Sequence, residues 1–155
     1  MTQYEVQREA VIPADIERVH TLINSFHKWS SWSPWEDVDP AMQRRFSGPE
    51  AGPDAHYEWE GNRKAGKGSM TIVASAPQRI DLVIDFDFDF DKPFKAHNPT
   101  SFILEPIDGG THVRWVMTGK HTGMAAVVFK FMSMDKLIGP DFERGLKRLE
   151  AAAVA

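Results

Sequence analysis

The sequence predicts a single α+β domain in which an antiparallel sheet wraps around a long C-terminal helix. Apolar residues recur at helical spacing near the N-terminus, alternate with polar residues through the middle of the chain, and return to helical spacing at its end. Strands and helices are therefore segregated along the chain, which is typical of this class. A length of 155 residues is near the common size of one domain, so we expect residues 1–155 to form one unit.

The N-terminal part predicts one strand followed by one or two helices. Residues 4–12 have a mixed pattern that ends at Pro13 and indicates an opening strand. A helix is expected directly afterwards, because apolar residues follow at spacings of three and four: Ile16, Val19, Leu22, Ile23 and Phe26. Residues 26–35 hold three tryptophans among serines and a proline, and this composition favours a short helix and then a loop.

From Met42 to about Gly119 the chain shows the period-two alternation of strands, interrupted by turn residues. Six short antiparallel strands are the simplest interpretation, and with the opening strand they make a curved sheet of seven. The clearest strand runs from Ile80 to Phe90, where apolar residues occupy one side and aspartates most of the other. Such a strand has one buried face and one solvated face.

The last third of the chain returns to helical spacing, with apolar residues between Met124 and Ile138 and again between Phe142 and Ala153. Gly139-Pro140 separates the two stretches. Because proline removes a backbone donor, we expect the helix either to kink or to restart there. A strongly curved sheet over one amphipathic helix leaves a concave apolar space, and small ligands bind in such spaces.

Composition and charge argue against several classes of function. The net charge of −4 lacks the positive field that binding to a phosphate backbone requires, so nucleic acid is not an expected partner. Cysteine is absent, which excludes disulfides and thiolate chemistry and fits a cytoplasmic location. Neither a secretory leader pattern nor a run of ~18 apolar residues is present, so membrane insertion is not expected.

No metal and no cofactor are expected. The six histidines lack the close spacing of metal ligands. The acidic run Asp85, Asp87, Asp89 and Asp91 invites calcium, but same-face residues of a strand lie ~7 Å apart, too far for one ion, so a solvated face is the better interpretation. Gly66-Lys67-Gly68 lies between strands and lacks the phosphate-loop pattern, which favours a hairpin turn.

Six segments carry a resemblance to a known family. They are, in chain order, the tryptophan-rich Trp29–Trp35, Tyr57–Asn62, Gly66–Ile72, Phe90–Phe94, Gly110–Gly119 and Met134–Leu146. Together they resemble the polyketide cyclase/dehydrase branch of the START-like (SRPBCC) superfamily, which also contains the birch pollen allergen and lipid-transfer domains. The resemblance covers nearly the whole chain. It implies a helix-grip fold with a deep, mostly hydrophobic cavity between the sheet and the C-terminal helix, but no particular reaction.

The side chains expected to face this cavity are apolar or aromatic groups at inward positions. Those before the C-terminal helix are Trp32, Trp35, Tyr57, Trp59, Met70, Ile72, Phe86, Phe88, Phe102, Leu104, Trp115 and Met117, and those on the helix are Phe131, Met134, Leu137 and Ile138. Most of them must also serve as ordinary core, because pockets are lined by few residues and supported by many. For the five tryptophans two interpretations stay open, an aromatic wall for flat rings and plain core.

Three functions follow from these observations, in order of preference. The first is the binding of a small hydrophobic, lipid-like or polyketide-like molecule in the cavity. The second is a cyclase or dehydrase acting in the same cavity, for which Tyr57 is the one catalytic candidate, as a weak acid or an orienting group. The third is an interaction module that resembles the activators of the heat-shock ATPase chaperone.

Overall fold

The computed structural model describes residues 2–35, 41–61, 66–88, 94–121 and 134–155. In chain order the elements are β1 Thr2–Ile12, α1 Ile16–Ile23, α2 Phe26–Trp29, β2 Gln43–Ser47, β3 His56–Glu60, β4 Lys67–Ala76, β5 Arg79–Phe88, β6 Phe94–Ile107, β7 Gly110–His121 and α3 Met134–Val154. The predicted succession of one strand, two short helices, six strands and a long helix is confirmed. None of the helices in this part of the chain is both long and apolar enough to cross a membrane.

The seven strands form one antiparallel sheet in the order β1-β7-β6-β5-β4-β3-β2. Strands β2 to β7 each pair with the next strand along the chain, and β7 then pairs with β1 over their full lengths. One face of the sheet carries the core and the other faces solvent, as the alternation of β5 predicts. On β5, Ile80, Leu82 and Ile84 are buried while Asp85 is exposed.

The register places inward side chains in rows that cross the sheet. One row is completely buried and runs over five strands through Ile72, Leu82, Thr100, Met117 and Val6. The next row, nearer to α1 and α2, contains Ile80, Phe102 and Trp115, which are also completely buried. We call the part of the core formed by these two rows the closed end.

Aromatic rings fill the closed end. Trp29 and Trp32 lie with their ring centres 4.5 Å apart, and their indole N–H groups donate to the backbone oxygens of Ile23 and Leu22. Trp115 stacks on Phe142 of α3, with ring centres 4.0 Å apart and planes at 6°. The rings join α2, the sheet and α3 into one core, in which their burial is strongly favourable.

The helix α3 lies over β1 and continues through Pro140 without interruption, so the alternative of a restart at Gly139-Pro140 is wrong. An internal proline costs a helix ~3 kcal/mol, because one hydrogen bond is lost. Arg8 of β1 offsets part of this cost, since its guanidinium binds Asp135 before the proline and Glu143 after it. The part of the expected helix before Met134 lies outside the described residues.

Candidate functional site

The concave face becomes less buried toward the end of the sheet where β3 ends and β4 begins. There Trp59, Gly68 and Phe86 are neighbours in one row across three strands, and all three are only partly buried. In the adjoining row Tyr57 is 4% exposed and Met70 is 5% exposed. We call the row of Trp59, Gly68 and Phe86 the open end.

The indole of Trp59 lies against the backbone of β4, because Gly68 has no side chain. A Cβ atom at Gly68 would stand 2.5 Å from Cζ2 of Trp59 and 2.3 Å from the backbone oxygen of Asp85. Phe86 meets the same indole edge to face at 5.7 Å. The prediction of a turn at Gly66-Lys67-Gly68 is therefore confirmed only in part: Gly66 has a positive φ of 62°, whereas Gly68 lies within β4 and supports an aromatic ring.

Tyr57 points inward beside Trp59, as strand parity predicts. The two rings stack with centres 6.0 Å apart, and Phe46 packs on the other side at 5.1 Å. The hydroxyl oxygen of Tyr57 is buried. This placement is compatible with orienting a ligand, and the catalytic role of Tyr57 stays a prediction.

A polar pair on the concave face was missed by the sequence reasoning. The row of Tyr57 and Met70 continues through Ile84 to Asn98 of β6, which is only 1% exposed. The side-chain amide of Asn98 donates to the hydroxyl of Tyr4 at 2.5 Å and to the backbone oxygen of Thr118 at 3.1 Å. A signal did exist, since Asn98 has the same parity as Phe102 and Leu104, but Asn98-Pro99 is a dipeptide that usually marks a turn.

Burial raises the pKa of the Tyr4 hydroxyl, and the hydrogen bond from Asn98 offsets part of that rise. Arg8, which lies on the same face of β1, is already bound by two carboxylates. The hydrogen bonds from Arg8 lower the pKa of Asp135. Tyr4 and Asn98 thus bring a neutral phenol and a neutral amide to the concave face, and Arg8 is a cation bound by two carboxylates.

The structure separates the predicted site residues by depth. Trp59 and Phe86 form the open end, and Tyr57 and Met70 the row beside it. Completely buried positions are held by Trp32, Ile72, Phe102, Leu104, Trp115 and Met117, whereas Trp35, Met134 and Ile138 are partly buried against the core. Phe131 and the side chains of Phe88 and Leu137 lie outside the described residues. Ligand contact stays a prediction for every one of these positions.

A groove of about 520 Å³ is lined by the three residues of the open end together with polar side chains of the same strands. His97 lies 2.6 Å from Asp85, and Arg45 lies 3.6 Å from Glu58. The prediction of a solvated face is therefore confirmed at Asp85, which is exposed and contacts His97 of the neighbouring strand β6. Asp89, Asp91 and the side chain of Asp87 lie outside the described residues.

Comparison with known proteins agrees with this architecture. A model of the family described as polyketide cyclase/dehydrase and lipid transport matches residues 3–154. Protein CV1439 from Chromobacterium violaceum is 18% identical over 96% of both chains with a TM-score of 0.66. A Rhizobium leguminosarum protein is 13% identical over 98% of this chain and 95% of its own, with a TM-score of 0.68.

The allergen Ara h 8.0201 also shares the fold, with a TM-score of 0.60, 16% identity, and coverage of 98% of this chain and 95% of its own. Identities this low show the fold alone. A search of curated proteins finds no significant match. The seven-stranded sheet that grips a C-terminal helix is therefore the helix-grip architecture.

Proposed function

Because the chain belongs to the polyketide cyclase/dehydrase and lipid-transport family of the START-like superfamily, we propose that it binds a small hydrophobic molecule at the open end of its concave face. One observation carries this proposal. Trp59 and Phe86 occupy inward positions and yet remain partly exposed, while the rows below them are buried. Large aromatic side chains at such positions are typical of ligand sites.

Physical chemistry supports a ligand of apolar character. Each Å² of apolar surface removed from water contributes ~25 cal/mol, so a molecule that covers the two rings gains free energy from both of them. Trp59 and Phe86 meet edge to face, and aromatic surfaces of this kind suit flat rings as well as aliphatic chains. We therefore include both lipid-like and polyketide-like molecules in the class of ligand.

The closed end sets how deep the ligand reaches. Below the row of Tyr57 and Met70, the core is filled by the protein's own side chains, including Phe102 and Trp115. Protein interiors of this kind are closely packed and resist insertion of extra groups. The proposed ligand consequently rests on the rows of Trp59 and Tyr57, and the deeper aromatic residues support it from below.

A matched pair of tryptophan substitutions tests the proposal. We suggest titrating the protein with N-phenyl-1-naphthylamine, a neutral hydrophobic fluorophore, and comparing Trp59→Phe with Trp29→Phe. Trp59→Phe should weaken binding about fivefold, because aromatic contact worth ~1 kcal/mol is lost. Trp29→Phe removes an indole from the closed end and should leave the dissociation constant unchanged.

Two results would overturn the proposal. One is failure of the unmodified protein to bind the fluorophore or any other member of a lipophilic panel. The other is an equal loss of affinity in the two variants, which would show that the indole at the open end has no special part in binding. Thermal denaturation of each variant checks that both are folded during the titration.

A further inference from the structure

Asn98 is a strongly buried polar side chain of the concave face close to the open end. Phe86 pairs with Ala96, so Asn98 is the diagonal neighbour of Phe86 on the adjacent strand and lies ~7–8 Å from it. A ligand with two fused rings that rests on Phe86 is long enough to reach Asn98. The amide is therefore within range of the site proposed above.

The orientation of the Asn98 amide is fixed by its partners. The backbone oxygen of Thr118 can only accept a hydrogen bond, so the atom facing it must be the amide nitrogen. The second N–H of the same nitrogen donates to the hydroxyl oxygen of Tyr4. Both donors of Asn98 are thus used within the protein.

The carbonyl oxygen Oδ1 of Asn98 is the remaining polar atom of this side chain. Within the described ranges no donor lies at hydrogen-bond distance from it. Asn98 as a residue is only 1% exposed, and polar atoms of such residues are normally paired. A ligand group that donates to Oδ1 would supply this partner.

Charge on this face argues for a neutral donor. Tyr4 keeps its proton, since burial raises its pKa. Arg8, the cation of β1 on the same face, has its guanidinium bound to Asp135 at 2.7 Å and to Glu143 at 3.2 Å. A carboxylate ligand would bring a charge into this region that neither Tyr4 nor Arg8 neutralises, and it could not donate to Oδ1.

We propose that Oδ1 of Asn98 accepts a hydrogen bond from a hydroxyl group of the bound molecule, so that the ligands are lipophilic alcohols or phenols and not carboxylates. This inference rests on the proposed function. It adds a specificity-determining residue and a chemical class to a site that the apolar residues alone leave open to any hydrophobic molecule.

Four related probes separate the two levels of the proposal: naphthalene, 2-naphthol, 2-methoxynaphthalene and 2-naphthoate. Each is titrated against bound N-phenyl-1-naphthylamine in a displacement assay on the unmodified protein. We expect 2-naphthol to bind about tenfold more tightly than naphthalene, which corresponds to one hydrogen bond worth ~1.4 kcal/mol. The methoxy compound has the oxygen without the donor and should bind like naphthalene, and 2-naphthoate should bind most weakly.

Two variants then test whether the preference for 2-naphthol over naphthalene depends on Asn98. Asn98→Leu should bind naphthalene as before and lose the tenfold preference for 2-naphthol. Thr100→Val is the matched control, because Thr100 is also buried and inward but donates to the backbone oxygen of Asn98. It should keep the preference. Should Asn98→Leu fail to fold, the four-probe comparison on the unmodified protein still decides the question.

The outcomes are distinguishable. If naphthalene and 2-naphthol bind equally, or if 2-methoxynaphthalene matches 2-naphthol, the hydroxyl inference is overturned while the proposed function stands. Tighter binding of 2-naphthoate overturns it as well, since that result requires a cation at the site. If none of the four probes displaces the fluorophore and the fluorophore itself does not bind, both levels fail together.

Discussion

Gly119 gives Tyr4 and Asn98 the room in which they meet. A Cβ atom at this position would lie 2.3 Å from the hydroxyl oxygen of Tyr4 and 2.4 Å from the amide nitrogen of Asn98. Both distances are far below van der Waals contact, so any larger residue must push the pair apart. The polar pair therefore depends on three residues from three different strands, β1, β6 and β7.

The titration of Tyr4 tests the environment of this pair. The chain has two tyrosines, so Tyr57→Phe leaves Tyr4 as the single phenol that titrates. We expect its pKa to lie above the ordinary tyrosine value, because burial disfavours the phenolate. Adding Asn98→Leu should raise the pKa further, since the hydrogen bond that stabilises the phenolate is lost.

Phenolate absorbance measures this pKa, and circular dichroism recorded in parallel shows whether the fold persists. The raised pKa also sets a direction for stability: the contribution of Tyr4 is complete below the pKa of the unfolded chain and is lost as the pH rises through the folded pKa. An ordinary or lowered pKa in the single-tyrosine protein would show that the hydroxyl is not buried as described.

For single residues, strand parity correctly predicted which face of the sheet a side chain lies on, but it did not predict how deeply the side chain is buried. Parity correctly turned Tyr57, Trp59 and Trp115 inward, because alternation along a strand is a local property. It could not tell that Trp59 stays partly exposed while Trp115 is completely buried. That difference arises from Phe142 and Trp32, which cover Trp115 from distant parts of the chain.

At the scale of elements, the contact between β1 and α3 can be tested by measuring stability as a function of pH, because it contains an ion pair. Arg8 binds both carboxylate oxygens of Asp135, at 2.7 and 3.0 Å, and its Nε donates to Glu143 at 3.2 Å. The side chains of Arg8 and Asp135 are 25% and 47% exposed, so solvent and salt screen the attraction. The interaction nevertheless lies on both sides of Pro140 and holds the helix against the sheet.

Asp135→Asn should therefore reduce stability at neutral pH and flatten its dependence on acid. The hydrogen bonds from Arg8 lower the pKa of Asp135 in the folded protein. Its contribution is present above the pKa of the unfolded chain and is lost as the pH falls through the lower, folded pKa. Urea midpoints measured from neutral to acidic pH, with and without added salt, check this expectation.

Asp108→Asn, in the turn between β6 and β7, is a suitable control because that aspartate is exposed. It should follow the unmodified protein at every pH. An acid profile of Asp135→Asn that coincides with that of the unmodified protein would mean that the Arg8 contact contributes nothing to stability in solution.

The order of elements could be predicted because hydrophobic periodicity is a property of each segment by itself. That α3 continues through Pro140 could not be predicted in this way. Proline is a local signal for a break, whereas the contact that supports the helix joins residues 127 positions apart in the chain. Asn98-Pro99 is likewise a local signal for a turn, yet it lies within β6, where both residues pair with β5 and the pairing with β7 begins only at Thr100.

Over the whole molecule, the two ends of the concave face have different parts: we infer that one stabilises the fold and that the other binds a ligand. The closed end is a continuous set of aromatic contacts that includes Trp29, Trp32, Phe102, Trp115 and Phe142. The open end holds two rings that are only partly buried, those of Trp59 and Phe86. We infer that the first stabilises the fold and that the second is retained for a ligand.

A matched pair of phenylalanine substitutions measures this division. Phe142→Ala should lower the free energy of unfolding by ~3–5 kcal/mol, because it leaves a cavity in a packed core. Phe86→Ala should cost less than half as much, since its ring is only partly buried. Urea denaturation of the two variants gives both values, and an equal or larger loss for Phe86→Ala would contradict the division.

The general position of the candidate site follows from the sequence, because the concave face follows from the fold and the inward residues from parity; ligand binding there stays a prediction. The extent of the site could not be predicted. How far a ligand can enter depends on which rows the tryptophan-rich segment and α3 fill, and that is decided by packing between segments more than a hundred residues apart, such as Trp35 and Asp141.

The most direct test of the central claim is a nuclear magnetic resonance titration of the five indole N–H groups, assigned by single Trp→Phe variants. On addition of N-phenyl-1-naphthylamine or 2-naphthol, the signal of Trp59 should move most, while that of Trp29, bonded to the backbone oxygen of Ile23, should stay in place. Binding that shifts Trp29 and leaves Trp59 unchanged would contradict a ligand site at the open end.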